Sequence, residues 1–318
     1  MVETLKTNGF IESLPRPIEI LEGGLRTRGY YKTNALPKPR ISVVTVVLNG
    51  EKHLEQTIQS VINQTHANLE YLVVDGGSTD GSLEIVRKYE YAIDYWVSEA
   101  DSGIYSAMNK GVALSTGDWL SFINADDFLW SPFVLEQVAL QLAELSAQTR
   151  VAYGQIMLLD SVGKDLFSVG EPWDKVKKRF KQAMVIPHPG VMHRRTLFTV
   201  HGLFDESYKS AGDYELLLRE LQTADAYFIK GIIVTGMRLG GISNRPEETL
   251  NSLKELRRAQ KKHGRELPGI TWVMSLIRVY VRKFFWHILG EKSTRRLLDL
   301  GRRIMGLKAV WAVDKGRS

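Results

Sequence analysis

The stretch Trp119-Leu120-Ser121-Phe122-Ile123-Asn124-Ala125-Asp126-Asp127 changes from apolar to acidic along its length. Its apolar part follows Gly117-Asp118, a pattern that predicts a short buried strand. Oxygen-bearing side chains at the carboxyl end of such a strand lie where open α/β sheets bind ligands. Two adjacent carboxylates with an amide upstream suit Mg²⁺ or Mn²⁺, and such an ion could hold a diphosphate. The alternative is a solvated turn in which an Asp caps the next helix.

Other apolar runs in the chain end in the same way. Ile41–Leu48 is a nearly continuous β-branched run that predicts a parallel strand covered on both faces, and it ends at Asn49. A second run ends at Asp75, and apolar residues at helical spacing follow both runs. Successive strand-loop-helix units predict an α/β sheet. Further along, we expect a hairpin over residues 151–170, a short strand over residues 188–193 and a late strand over residues 229–239.

The composition limits the possible chemistry. The 318 residues include no cysteine, which excludes disulfides, thiolate metal sites and a cysteine nucleophile, and fits a reducing compartment. The net charge of +6 is uneven, because residues 251–318 hold 17 Lys and Arg against 5 Asp and Glu. The tail therefore carries +12 and the rest of the chain −6. An acidic body would need a cation to handle phosphate, whereas the tail suits an anionic lipid surface or a nucleic acid.

The longest apolar stretch, Ile270–Leu289, has about the length of a membrane-spanning helix. Charged residues interrupt it, and such charge is costly inside a bilayer. Arg278, Arg282, Lys283 and His287 are expected on one helical face opposite an apolar one. This pattern favours an amphipathic helix lying in the membrane surface. The alternative is a helix that packs on the catalytic body and keeps its basic side in water.

Five motifs follow one another along the chain: VVTVVLN at 43–49, VVDGGSTDG at 73–81, DSGIYSAMNKG at 101–111, GDW at 117–119 and NADD at 124–127. Together they resemble the motifs of the family 2 glycosyltransferases, and the resemblance spans about residues 41–244. Members of this family are inverting enzymes with the GT-A fold, a Rossmann-like α/β domain, and they use nucleotide-diphospho-sugars. The resemblance implies that fold and a Mg²⁺ or Mn²⁺ cofactor for this chain.

Roles for individual residues follow from the resemblance. Asp75 would bond the donor's base, and Asp126, with Asp127 beside it, would bind the metal. Asn124 stands where the family has the first Asp of its Asp-x-Asp motif, so it keeps an oxygen but loses a charge. The residues implied to bind the nucleotide sugar are Thr45, Asn49, Asp75, Asp101, Asn109, Lys110 and Asn124. His188 joins them as a candidate, although a structural histidine is an equal alternative.

Asp213 matches the late carboxylate that serves as the family's catalytic base. Inversion in one displacement needs one general base on the acceptor hydroxyl, and this chain offers Asp213 in that context. The family often has Glu before this position, whereas this chain has Gly212. The alternative role for Asp213 is a helix N-cap. We expect Glu215 to lie on the helix surface.

These observations predict three regions: an N-terminal extension (1–40), a GT-A domain (41–245) and a basic helical C-terminal region (246–318) that associates with membrane. The leading hypothesis is a sugar transferase on the cytoplasmic face of the plasma membrane. Its partners would be a nucleotide-diphospho-sugar, a lipid-linked or polysaccharide acceptor, and anionic lipid, with no nucleic acid expected. The alternative is a catalytically weak binding or scaffold protein with the same fold. A Rossmann dehydrogenase is set aside because no Gly-x-Gly-x-x-Gly follows the first strand.

Overall fold

The computed structural model describes residues 20–32, 38–160, 162–239, 246–304 and 306. Within these ranges the strands form one mixed sheet in the order β1-β4-β3-β2-β5-β9-β7-β10-β6, with β8 paired to β7. The strands are β1 (Leu21–Gly23), β2 (Ile41–Val47), β3 (Leu69–Asp75), β4 (Tyr95–Ser98), β5 (Trp119–Asn124), β6 (Phe128–Leu129), β7 (Val151–Leu159), β8 (Asp165–Val169), β9 (Val191–Arg194) and β10 (Tyr227–Arg238). The α-helices are α1 (Glu51–Ile62), α2 (Ser82–Lys88), α3 (Ile104–Leu114), α4 (Val134–Ala143), α5 (Trp173–Phe180), α6 (Arg195–His201), α7 (Gly212–Leu221), α8 (Pro246–Lys262) and α9 (Ile270–Ile304).

The centre of the sheet is parallel. β2 lies between β3 and β5 and runs parallel to both, and β4 continues the parallel arrangement beyond β3. β9 then enters antiparallel between β5 and β7, so the sheet is mixed. The predicted α/β sheet is confirmed, and the expected hairpin is the antiparallel pair β7–β8. The expected strand over residues 188–193 is shorter, because His188–Gly190 form a 3₁₀ turn before β9.

Helices cover both faces of this sheet. Because neighbouring residues of a strand point to opposite faces, β2 contributes to two cores. Val44 and Val46 pack with residues from α3, α5, α6 and α7, whereas Val43 and Val47 pack with residues from α1, α2 and α4. All seven residues of β2 are buried. This double burial explains why its sequence is continuously apolar rather than alternating.

Both flanking regions contact the body. In the N-terminal part, Leu21–Gly23 pair antiparallel with β4 at the edge of the sheet. In the C-terminal part, α8 packs against α7. The boundaries at residues 41 and 245 stay predictions, and residues 1–19, 33–37, 240–245 and 307–318 lie outside the described residues.

Glu215 of α7 joins α7 to α8 and is fully buried, so its expected surface position is wrong. Its carboxylate accepts hydrogen bonds from Arg219 Nε at 3.0 Å and pairs with Lys262 at 3.1 Å and His263 at 2.9 Å. Burial alone would raise the pKa of Glu215. The hydrogen bonds from Arg219 and His263 outweigh burial and leave the pKa below its ordinary value of 4.5.

The predicted helix at Ile270–Leu289 forms the first part of α9, which continues after a break at Gly290. One side of α9 faces α8, where Trp272 Nε1 donates to the Leu253 carbonyl at 2.8 Å. Arg282 is buried on this side, and its Nη2 donates to Thr249 Oγ1 at 2.8 Å. The expectation that Arg282 lies on a wet basic face is therefore wrong. Among the helices of the described ranges, none combines the length and the hydropathy of a membrane-spanning segment.

We expect Glu215→Gln to lower the free energy of unfolding at pH 7 by about 1.5–3 kcal/mol, because it removes charge-assisted hydrogen bonds. The pKa of Glu215 is lower in the folded than in the unfolded state, so its contribution is complete above about pH 4.5. It is lost as the pH falls through the folded-state pKa. Urea unfolding of wild type and variant should thus converge in acid. The control is Glu144→Gln at an exposed position, and equal stability of E215Q and wild type at pH 7 would contradict the assignment.

Candidate active site

The carboxyl ends of four parallel strands lie level at one edge of the sheet. Val47, Asp75 and Ser98 occupy matching positions on β2, β3 and β4, and Val46 is matched with Asn124 at the end of β5. A pocket of about 630 Å³ opens at this edge. The predicted site residues that line it are Asn49, Asp101, Asn124, Asp126 and Asp127.

The loop after β2 forms one wall of the pocket. Asn49 has a left-handed backbone with φ 53°, a conformation that Asn tolerates better than most residues. Its Oδ1 accepts a hydrogen bond from the backbone N–H of Thr79 at 2.8 Å, which ties this loop to the one after β3. A Cβ atom on Gly50 would lie 2.8 Å from Ala125 Cβ. Glycine therefore allows the loop to touch the acidic turn.

The acidic turn buries one of its two carboxylates. Only 2% of Asp127 is exposed, and its Oδ2 accepts a hydrogen bond from Asn124 Nδ2 at 3.1 Å. Burial and the neighbouring charge of Asp126 raise the pKa of Asp127 well above its ordinary range. Asn124, which stands where the family motif has its first Asp, therefore uses its amide to orient the Asp127 carboxylate. No side chain caps α4, which begins seven residues after Asp127, so the capping alternative for this turn is wrong.

Three basic side chains line the same pocket and were not identified from the sequence: Lys52 and His53 of α1 and Arg238 of β10. Arg238 Nη1 donates to the Asp126 carbonyl at 3.4 Å, and its guanidinium lies 5.3 Å from the centre of the Phe128 ring. Burial and the charges of Arg238 and Lys52 lower the pKa of His53. Cations and carboxylates therefore face one cavity, an arrangement that suits a polyanion bound together with a metal ion.

Asp75 builds the turn that follows β3. Its carboxylate accepts hydrogen bonds from the N–H groups of Gly77 and Ser78 at 3.2 and 3.0 Å and from the Ser98 hydroxyl at 2.6 Å. Only 1% of Asp75 is exposed, and it lies outside the pocket lining. Its contact with a nucleotide base stays a prediction.

Thr45 and Asn109, which were expected to bind the nucleotide, form hydrogen bonds within the protein. Thr45 is fully buried and shares a hydrogen bond of 3.1 Å with the Tyr71 hydroxyl. Asn109 is 7% exposed, and its amide bonds the loop after α6. Its Oδ1 accepts from the Phe204 N–H at 2.9 Å, and its Nδ2 donates to the Phe204 carbonyl at 3.0 Å and to the Glu206 carboxylate at 2.9 Å. The polar atoms of Thr45 and Asn109 are thus bonded within the protein, and contact of either residue with the nucleotide stays a prediction.

His188 also packs against other side chains of the protein, and its contact with the donor stays a prediction. It is half-buried, its ring stacks on Phe122 at 6.1 Å, and its ring centre lies 5.2 Å from that of His193. Burial lowers the pKa of both histidines, so they are neutral members of an aromatic cluster. Lys110 pairs with Glu99 at 2.6 Å outside the pocket lining, and its contact with the donor stays a prediction.

Asp213 lies in the first turn of α7. It does not cap the helix, so the capping alternative is wrong. The Tyr105 hydroxyl donates to Asp213 Oδ1 at 3.2 Å, and Tyr105 lies between Ile104 and Ala107, which line the pocket. A Cβ atom on Gly212 would lie 2.9 Å from the Tyr105 ring. Gly212 therefore leaves room for the side chain that connects Asp213 to the pocket wall.

Residues 42–192, which contain β2 to β5 and the acidic turn, match the family described as glycosyl transferase family 2. Over these residues the chain has the sequence of a family 2 glycosyltransferase. A PGL/p-HBAD biosynthesis glycosyltransferase of Mycobacterium bovis is 29% identical over 211 residues, 65% of this chain and 80% of the relative. An uncharacterized glycosyltransferase of Mycobacterium tuberculosis is 29% identical over 229 residues, 71% and 85% of the two chains.

Solved structures share the fold of this glycosyltransferase. S. aureus TarS in complex with UDP-GlcNAc has a TM-score of 0.56 at 17% identity, over 77% of this chain and 72% of that one. The mannosyltransferase PcManGT from Pyrobaculum calidifontis, in complex with GDP-Man and Mn²⁺, has a TM-score of 0.58 at 14% identity, over 92% and 85%. The mixed sheet with helices on both faces is consistent with the GT-A fold, as predicted from the motifs.

Proposed function

We propose that this family 2 glycosyltransferase moves a sugar, with inversion, from a nucleotide-diphospho-sugar to a hydroxyl of a lipid-linked or polysaccharide acceptor of the cell envelope. The observation that carries the proposal is the pocket at the strand ends, which collects Asp126, Asp127, Lys52 and Arg238 around one cavity. The sugar-nucleotide ligands of the two solved structures support the donor class. The name of the mycobacterial relative supports an envelope acceptor.

The residues of the acidic turn fit a divalent cation that arrives with its substrate. Among the described residues, no three or more carboxylates and imidazoles are grouped as a metal site. Mg²⁺ is usually bound by one or two carboxylates together with substrate phosphates, which is what Asp126 and Asp127 offer. Burial and the charge of Asp126 raise the pKa of Asp127, so a cation bound at this turn would favour the ionised form of Asp127. A divalent cation bound there would stabilise the charge that develops on the leaving diphosphate.

Side chains of the protein would then bind the diphosphate and accept the proton of the acceptor hydroxyl. Lys52 and Arg238 face the cavity and would bind diphosphate oxygens. Asp213 would take the proton of the acceptor hydroxyl as its oxygen attacks the anomeric carbon and the bond to the diphosphate breaks. The Tyr105 hydroxyl orients the carboxylate. Burial and the charge of Asp213 raise the pKa of Tyr105, so the phenol remains a donor at neutral pH.

We expect Asp126→Ala to remove the metal-dependent part of donor binding, because Asp126 lines the cavity and its carboxylate is lost. Calorimetry of UDP and GDP binding, with and without Mn²⁺, measures this directly. Asp165→Ala, at an exposed position in β8, is the control and should keep the metal enhancement. The metal role would be excluded if D126A and wild type gained equally from Mn²⁺.

Asp213→Asn should leave donor affinity unchanged and lower kcat by about 10²–10⁴-fold, because the amide keeps the shape but cannot accept the proton. Release of nucleoside diphosphate from UDP- and GDP-sugars, in the presence of an acceptor, gives kcat. Turnover within a few fold of wild type would refute the base assignment. Donor binding without turnover by wild type across the donors would favour the scaffold function instead.

We also propose that the protein is a peripheral membrane protein on the cytoplasmic face of the plasma membrane. An apolar stripe on α9 faces away from α8, and its members Ile277, Phe284 and Ile288 are 50, 61 and 58% exposed. Arg278 and His287 are exposed and lie about a quarter turn to either side of it. This pattern suits insertion of the stripe among lipid headgroups, with the flanking charges at the surface.

We expect the full chain to co-sediment with vesicles containing anionic lipid, and the double variant Ile277→Glu/Phe284→Glu to remain in solution. Basic residues near such a surface contribute about 1 kcal/mol each, so raised salt and neutral vesicles should both weaken binding. Tyr91→Glu, which changes an exposed aromatic residue far from α9 in the chain, is the control. Full-length protein that ignores anionic vesicles would defeat the membrane proposal, and donor binding by the double variant confirms that it is folded.

A further inference from the structure

The loop before α7 is held by a helix of the C-terminal region. Glu255 of α8 is half-buried, and its carboxylate accepts hydrogen bonds from three consecutive backbone N–H groups. The distances are 2.9 Å from Lys209, 2.8 Å from Ser210 and 3.1 Å from Ala211. The Ser210 hydroxyl adds a fourth bond at 3.0 Å. Three N–H groups that converge on one carboxylate form an anion-binding nest, here filled by the protein itself.

This contact holds the backbone directly before α7, the helix that carries Asp213. α7 starts at Gly212, directly after the bonded segment, and Asp213 is its second residue. No side chain at the N-cap position bonds the helix end. Glu255 therefore acts as a cap supplied by another helix. A shift of the N–H groups of residues 209–211 would move the backbone that carries Asp213.

The same face of α8 also contacts Asp205 and Tyr208, which lie earlier in this loop. Arg258 lies over the Tyr208 ring, 3.6 Å from its centre, and Lys262 pairs with Asp205 at 2.9 Å. Glu255, Arg258 and Lys262 are spaced three and four residues apart, so they lie on one side of the helix. The Ser207 hydroxyl and Lys262 lower the pKa of Asp205 to about 2, which keeps this pair ionised.

The opposite side of the loop is held by α3. Asn109 bonds the backbone of Phe204 and the Glu206 carboxylate, and Glu206 also accepts a hydrogen bond from the Ser102 hydroxyl at 3.1 Å. The segment from 204 to 211 is thus fixed between a helix that lines the donor pocket and α8. The end of this segment nearest Asp213 is bonded by Glu255.

From these contacts we infer that Glu255 is a positioning residue for catalysis: it holds the start of α7 so that Asp213 meets the acceptor hydroxyl in reactive geometry. The inference rests on Asp213 being the base, as proposed above. Water would satisfy exposed loop N–H groups equally well, so solvation alone does not need a carboxylate here. Four bonds to one side chain fix a geometry, and a displacement of about 1 Å can cost about 10²-fold in rate.

The test compares Glu255→Ala and Glu255→Gln with wild type in the full chain. We expect E255A to lower kcat about 10- to 100-fold while the calorimetric Kd for the nucleoside diphosphate stays within about twofold. E255Q keeps one acceptor oxygen, so its kcat should lie between the two, and it supplies the measurement if E255A does not fold. Glu248→Ala, at an exposed position of the same helix, is the matched control and should keep wild-type kcat.

A double variant separates positioning from simple stabilisation. If Glu255 acts through Asp213, adding E255A to D213N should cause no further loss of kcat. A purely structural role predicts losses that multiply, or a lower melting temperature with unchanged kcat below it, and either result would overturn the inference. If D213N alone keeps its turnover, the proposed base fails. If D213N loses turnover and E255A and E255Q do not, only the role of Glu255 fails.

Discussion

Backbone hydrogen bonds between β2 and its parallel neighbours β3 and β5 hold the ends of these strands level. Every residue of β2 is buried, and its alternate side chains fill the cores on the two faces of the sheet. A slip of one residue would exchange these two sets, so packing on both faces fixes the register. That register brings the loop after β2, the turn after β3 and the acidic turn after β5 to one edge.

The electrostatics of the pocket depend on this convergence. Asp127 is buried beside Asp126 with its pKa raised, a costly arrangement for an isolated protein. Arg238 lies at the end of β10 and Lys52 lies in α1, the helix after β2, and both line the same cavity. Neighbouring charges of both signs suit a ligand that carries its own anion and brings a cation, which is the chemistry of a nucleotide-diphospho-sugar.

The C-terminal region contributes to the body as well as to a surface. Through Glu215 and Glu255, α8 contacts the helix that carries Asp213 and the loop before it. The far side of α9 leaves an apolar stripe exposed. A prediction based on the basic composition of the tail captures the amphipathic helix but not its connection to α7. Arg282 illustrates the difference, because its charge suggested solvent and the fold buries it against Thr249.

The sequence by itself determined the α/β sheet, the family and the position of the acidic turn, because β-branched runs, glycine-rich loops and strand-end carboxylates are local patterns. Such a pattern also nominated Asp126, whereas Asp213 was nominated by the family resemblance, and the roles of both residues stay predictions. Only the tertiary structure decided which polar residues face the cavity. Thr45, Asn109 and His188 have suitable side chains near the right motifs, yet their contacts are internal. Arg238 and Glu255 have no motif of their own, because contacts between residues far apart in the chain depend on how helices and strands pack, which local periodicity does not encode.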